Sequence, residues 1–217
     1  MGTRTYINPS QVKAIVSAEV APLLVADGFT PIDPFKFVRS AKAPIREVAL
    51  VGFGKSECSI DCGWSLRFVP HLQGEKVRWQ RTEKSIRVFD VSRDPTNYEP
   101  WFKWSDWSVS MFNDEAECRA KAKELARKVL TYETEWWDRI NSVEDMVHLV
   151  LSLKEEHGRH FGYKNYPRLQ LTLAFAYAYT GRREDARNAF EQCSSTYSDN
   201  PSIRAAFTKV LDTTGFA

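Results

Sequence analysis

Residues 57–68, ECSIDCGWSLRF, alternate apolar and polar side chains without a break. Cys58, Ile60, Cys62, Trp64, Leu66 and Phe68 share one parity, and Glu57, Ser59, Asp61, Gly63, Ser65 and Arg67 share the other. Successive strand side chains point to opposite faces, so the run predicts a strand with one face on a core and one in water. Strands wet on one side belong mostly to antiparallel sheets. FKFVRS (35–40) and REVALVGF (46–53) predict two strands before it. Ile86–Val91 and the alternation Trp107, Val109, Met111 predict two after it, with a turn at His71–Gly74 and a break at Asp94-Pro95.

The helical period frames these strands. Val12, Ile15, Val16, Val20, Leu23 and Leu24 make one stripe, with Ser10 as its expected N-cap and Gly28 as its stop. From Asn113 the spacing of Cys118, Ala122, Leu125, Val129, Tyr132, Trp136 and Ile140 predicts a long amphipathic helix laid across the sheet. Ser142 and Asp145 resemble a capping box that opens a further helix over 143–156, with Gly158 suited to its C-terminal cap. One helix, about five strands and then helices only is the α+β pattern, not the βαβ rhythm of a parallel sheet. The expected division is an α+β sheet domain over 1–141 and an all-helical extension over 142–217.

Composition narrows the function classes. A chain of 217 residues can bury roughly 70% of its unfolded surface and needs no disulfide or metal staple. Thirty basic against 28 acidic residues, a net charge of +2, give no mandate for nucleic acid or an anionic membrane. The largest local bias, Lys76, Arg78, Arg81, Lys84 and Arg87, is diluted by Glu75 and Glu83 and reads first as a solvated strand face. No stretch approaches the ~18–20 uncharged apolar residues of a membrane span. The N-terminus lacks the apolar region of a signal peptide, so a cytoplasmic address is expected, with Cys58, Cys62, Cys118 and Cys193 reduced.

Two resemblances follow from particular residues. LTLAFAYAYTGRREDARNAFEQC (171–193) resembles one tetratricopeptide unit through Leu173, Ala174 and Tyr177, Gly181 at the turn, then Ala186 and Phe190. It departs from the motif at Gln170, Cys193 and Ser198. Such units stack in threes or more, so a single hairpin, placed at 169–195, is expected to pack on the helix at 143–156 and the one after Pro201. Over residues 10–140, the opening helix, LLVADGF (23–29), the strand FKFVR and the Trp-rich stretch look like a family of small bacterial domains of unknown function. That resemblance implies a helix followed by an antiparallel sheet and carries no catalytic residues.

Several constellations invite chemistry. Cys58 and Cys62, four residues apart on a strand, stand ~13 Å apart, too far for one disulfide and awkward for one tetrahedral metal. They read as small core residues. His157 and His160 lack a zincin frame, and Glu57, Asp61 and Arg67 would serve acid–base work only under a cleft. No Walker, dinucleotide or Gly-x-Ser-x-Gly motif appears. The segment Trp101-Phe-Lys-Trp-Ser-Asp-Trp107 is the best candidate site, because Trp is enriched at binding hot spots.

The expectation is therefore a non-enzymatic, bacterial, cytoplasmic module that binds another protein, of the immunity-type or regulatory kind. Trp101, Lys103, Trp104 and Trp107 are its contact residues, and no cofactor, metal or membrane is called for. The rivals are an enzyme whose carboxylates or histidines assemble only in three dimensions, and a single-strand nucleic-acid binder using Lys103, Arg78, Arg81 and the Trp cluster. The overall charge balance disfavours nucleic acid.

Overall fold

The structure is a computed structural model that describes residues 7–53, 57–92, 108–110, 114–157 and 168–213. Its strands form an antiparallel sheet, as the α+β reading expects. β1 (Thr30–Asp33), β2 (Lys36–Lys42), β3 (Ile45–Phe53), β4 (Glu57–Leu66) and β7 (Val91–Ser92) lie in that order, and β8 (Ser108–Ser110) also pairs with β4. β8 takes the first half of β4, with Cys58 opposite Val109, and β7 takes the second half, with Trp64 opposite Val91. A separate two-stranded ribbon joins β5 (Pro70–Gln73) to β6 (Lys76–Trp79). By internal contacts the chain forms two compact units, one of residues 1–39, 47–62 and 99–139, the other of 40–46, 63–98 and 140–217. β2, β3 and β4 contribute residues to both.

In the first unit, α1 (Pro9–Ile15) and α2 (Ala21–Ala26) are joined by a π-helical turn at Val16–Val20. Pro22 stands two residues beyond that turn. A proline there has no N–H to donate and its ring crowds the preceding turn, which a widened π turn relieves. The N-cap is Asn8 rather than the expected Ser10: Asn8 Oδ1 accepts the Gln11 N–H at 2.9 Å, and Gln11 Oε1 accepts the Asn8 N–H at 3.0 Å. Val12, Ile15, Val16, Val20 and Leu24 are fully buried, and these helices pack on α3 (Glu115–Trp137). Glu19 reaches Arg119 at 3.5 Å and Lys123 at 3.8 Å along the same seam.

The α3 stripe follows the expected Cys118, Ala122, Leu125 and Val129, then continues through Glu133 and Trp137 instead of Tyr132 and Trp136. Trp137 turns inward because Phe29 meets it, ring centroids 5.0 Å apart. The Arg39 guanidinium lies over both rings, at 5.3 and 5.2 Å. It donates to the Asp27 carbonyl at 2.9 Å and to the buried Glu47 carboxylate.

The second unit is built on α5 (Arg168–Tyr179), whose residues Leu171–Ala178 are all buried. A helix apolar on every side belongs inside. α4 (Val143–His157), α6 (Arg183–Glu191) and α8 (Pro201–Thr213) pack on it, and the short α7 (Ser195–Ser198) leads into α8. The hairpin α5–α6 turns at Gly181, whose φ of +79° suits a residue without Cβ. Arg182 fastens the turn to α4, donating to Glu144 at 2.8 Å and to Asp185 at 2.8 Å. At the start of α4, Asp145 N–H donates to Ser142 Oγ at 3.1 Å, and Asp145 Oδ2 accepts the Asn141 N–H at 3.0 Å.

Candidate functional site

Trp101, Lys103, Trp104 and Trp107 lie outside the described residues, as do Asp94-Pro95, Gly158 and His160. The other expected candidates are described in part. Cys58 and Cys62 are buried on β4, and Cys118 and Cys193 are buried as well. Burial pushes the Cys58 thiol up to about 11, with Cys118 adding to the shift, and burial alone pushes Cys193 up to about 11. Thiols held protonated are poor nucleophiles and poor metal ligands. Glu57 is exposed and Asp61 half-buried in the first unit. Arg67 stands beyond the end of β4 in the second unit, where it pairs with Glu83 at 3.1 Å. Among the described residues no group of three His, Cys, Asp or Glu is placed to hold a metal ion. None of the described helices is long and apolar enough to cross a membrane.

The polar parity of β4 does not stay in water. From Gly63 to Leu66 every residue is buried. A Cβ on Gly63 would come within 2.7 Å of the Phe89 ring and the Val91 carbonyl, so only glycine fits there. Ser65 belongs to a buried polar cluster that the alternation gave no sign of. Its Oγ accepts from Arg46 Nη2 at 2.9 Å, and Arg46 also donates to the Gln80 carbonyl. Gln80, equally buried, accepts the Arg87 and Val88 N–H groups on Oε1 at 2.5 and 3.1 Å and donates to the Val88 carbonyl at 3.0 Å. Asp90 accepts the Leu66 N–H at 2.7 Å and, with Glu83, supplies negative charge near Arg46. Burial, and then the positive charge of Arg67, bring Arg46 down to about 10. This cluster fixes segment 80–90 against β3 and β4, and no reacting group of ordinary chemistry stands free in it.

A different surface has room for a ligand. α6, α7 and α8 enclose a groove of about 540 Å³. Its floor is the stacked pair Phe190 and Phe207, with ring centroids 4.3 Å apart and 7° between planes. Phe175 of α5 meets Phe207 edge-on at 5.6 Å and anchors the floor to the core. Arg187, Arg204, Glu191, Asp199 and Asp212 line the rim. Asp212 is engaged by Arg183 at 3.3 Å. Arg204 sits over the Phe190 ring at 6.0 Å, in the first turn of α8, where a helix end is already positive. Among the described residues neither Arg187 nor Arg204 has a carboxylate partner.

Phe190 comes from the second helix of the hairpin, and Phe207 from the helix after Pro201. The rim was not legible, because its charges come from two helices and a short linking turn. Comparison with known protein families, with curated proteins and with solved structures finds no match, so the site rests on its own geometry.

Proposed function

We propose that this chain acts by binding another protein, and that the groove between α6, α7 and α8 is a contact surface. The observation that carries the reading is the groove's composition: an aromatic floor fixed by the core, with Arg187 and Arg204 on a rim shared with Glu191, Asp199 and Asp212, neither arginine being ion-paired among the described residues. Such a site suits a peptide segment that sets an apolar side chain on the floor beside a carboxylate reaching the arginines, since bidentate guanidinium–carboxylate bonds add specificity to apolar burial. The Trp101–Trp107 segment is proposed as a second contact through Trp101, Lys103, Trp104 and Trp107. A regulatory or immunity-type role in a bacterial cytoplasm is the setting this reading favours.

Selection of random peptides displayed on phage, with the full chain as bait, tests the groove. The expected result is an enriched class combining an acidic with an aromatic or branched aliphatic residue, lost on Arg187→Glu/Arg204→Glu. Enrichment that the double variant retains unchanged, or no enrichment, contradicts the assignment.

A further inference from the structure

The ribbon β5–β6 carries its charge on one face. Directly opposed residues of an antiparallel pair point the same way, and the register sets His71 opposite Arg78 and Gln73 opposite Lys76. Of these, Gln73, Lys76 and Arg78 are exposed and form the outward face, while His71 is half-buried. Pro70, Leu72, Val77 and Trp79 form the inward one, where Trp79 meets Phe175 edge-on at 6.4 Å and β6 packs on α8. Gly74, with φ +61°, makes the tight turn between the strands. Lys76, Arg78, Arg81 and Arg87 are all exposed, and among the described residues none has a carboxylate partner.

The balance of the whole chain conceals this. Residues 70–92 hold five Lys and Arg against three Asp and Glu. Of those acids Asp90 is buried and accepts the Leu66 N–H, and the half-buried Glu83 is paired with Arg67, outside the segment. Glu75, at the turn, is the one fully exposed acid of the segment.

We infer that the β5–β6 ribbon is a contact surface for duplex DNA, separate from the groove at α6–α8 and sharing no residue with it. The major groove admits a two-stranded ribbon. Lys76 and Arg78, two residues apart on one face, stand about 6.7 Å apart, close to the rise between alternate phosphates of one strand. Arg81 and Arg87 extend the positive surface beyond the ribbon. Gln73 and Arg78 are residue types that read adenine and guanine edges.

A single strand is disfavoured because Trp79, the one Trp, Tyr or Phe ring of the two ribbon strands, is covered by the Arg81 guanidinium, 5.1 Å from its centroid, and met edge-on by Phe175. A lipid surface is disfavoured because the outward face carries no apolar side chain to insert. An acidic protein is disfavoured because that face offers no aromatic or aliphatic anchor.

Fluorescence anisotropy with the full chain and a labelled duplex of about two helical turns tests the inference. The duplex binds at about 50 mM salt and is released as salt rises toward about 200 mM. Lys76→Gln/Arg78→Gln weakens binding at least about tenfold and lowers the salt slope by about 1.8. The charge-matched control Arg187→Gln/Arg204→Gln leaves both quantities unchanged, which also separates this surface from the proposed protein-binding groove. The inference is overturned by absence of binding at low salt, by equal losses in the two variants, or by equal or tighter binding of a single strand, anionic vesicles or polyglutamate.

Discussion

Phe190 and Phe207 stack with their rings 7° from parallel and 4.3 Å apart, one from the second helix of the hairpin and one from α8. Each is about nine-tenths or more buried, yet together they form the floor of the groove. The same contact therefore holds α8 to the hairpin and supplies the surface on which a ligand would rest. Phe207→Ala removes an aromatic from a packed site and is expected to destabilise the protein by about 3–5 kcal/mol. Phe207→Leu keeps most of the volume and should cost less than half as much. Urea denaturation of the two variants, with unchanged m-values, checks the difference.

Arg46 gives a sharper test of what a buried charge contributes. Its Nε and Nη1 atoms are buried without acceptors, while Nη2 serves Ser65 and the Gln80 carbonyl. Because the folded chain holds this guanidinium down at about 10, it binds fewer protons than the unfolded chain at higher pH. The burial penalty is thus fully present below about pH 10 and is relieved only above it. Arg46→Ala, which leaves a hole and removes the donor to Ser65 and the Gln80 carbonyl, is expected to cost about 3–5 kcal/mol, whereas Arg46→Met should fall within about 1.5 kcal/mol of the wild type. Thermal unfolding of both variants at neutral pH decides it, and equal losses would assign the whole role to the charge.

The cap of α4 is expected to titrate. The Asn141 N–H and the Ser142 hydroxyl hold the Asp145 carboxyl below the usual carboxylate range. A depressed folded value means that its contribution is complete above about pH 4 and is lost as pH falls through the folded value. Asp145→Ala should cost about 1 kcal/mol at neutral pH. Its unfolding curve should converge on that of the wild type in strong acid, as followed by circular dichroism.

The cysteines should be inert in the native state. With burial holding Cys58 and Cys193 at about 11, neither offers appreciable thiolate at pH 8. Ellman's reagent is expected to label them only as fast as the chain opens and to label them at once in denaturant. Rapid native labelling of Cys58, located by peptide mass mapping, would contradict its place in the core.

Much of the fold was legible because burial and period coincide in it. The stripe from Val12 to Leu24 and the alternation from Glu57 to Cys62 each point a whole face of an element at a core. Legibility failed where a polar residue does a structural task. The run Ile86–Val91 reads as a strand by its apolar residues, yet β7 begins only at Val91. The Gln80 side chain takes the Arg87 and Val88 N–H groups that a neighbouring strand would otherwise need. Glu133, buried in the α3 stripe, could not be read as core from its charge. The expected turn at His71–Gly74 is a ribbon whose turn is confined to Gly74 and Glu75, because four-residue strands are too short to announce a period. The groove was hidden for a further reason: its floor pairs Phe190 and Phe207 from two helices, a contact that the period of neither helix reports.

The central claim is that the groove over Phe190 and Phe207 binds a protein segment through Arg187 and Arg204. Calorimetric titration of a groove-selected peptide into the wild type and into Arg187→Glu/Arg204→Glu tests it most directly. Among the described residues neither side chain has a carboxylate partner, so the variant should keep the wild-type melting temperature. The variant should bind at least about tenfold more weakly, about 1.4 kcal/mol. Equal affinity for the two proteins would contradict it.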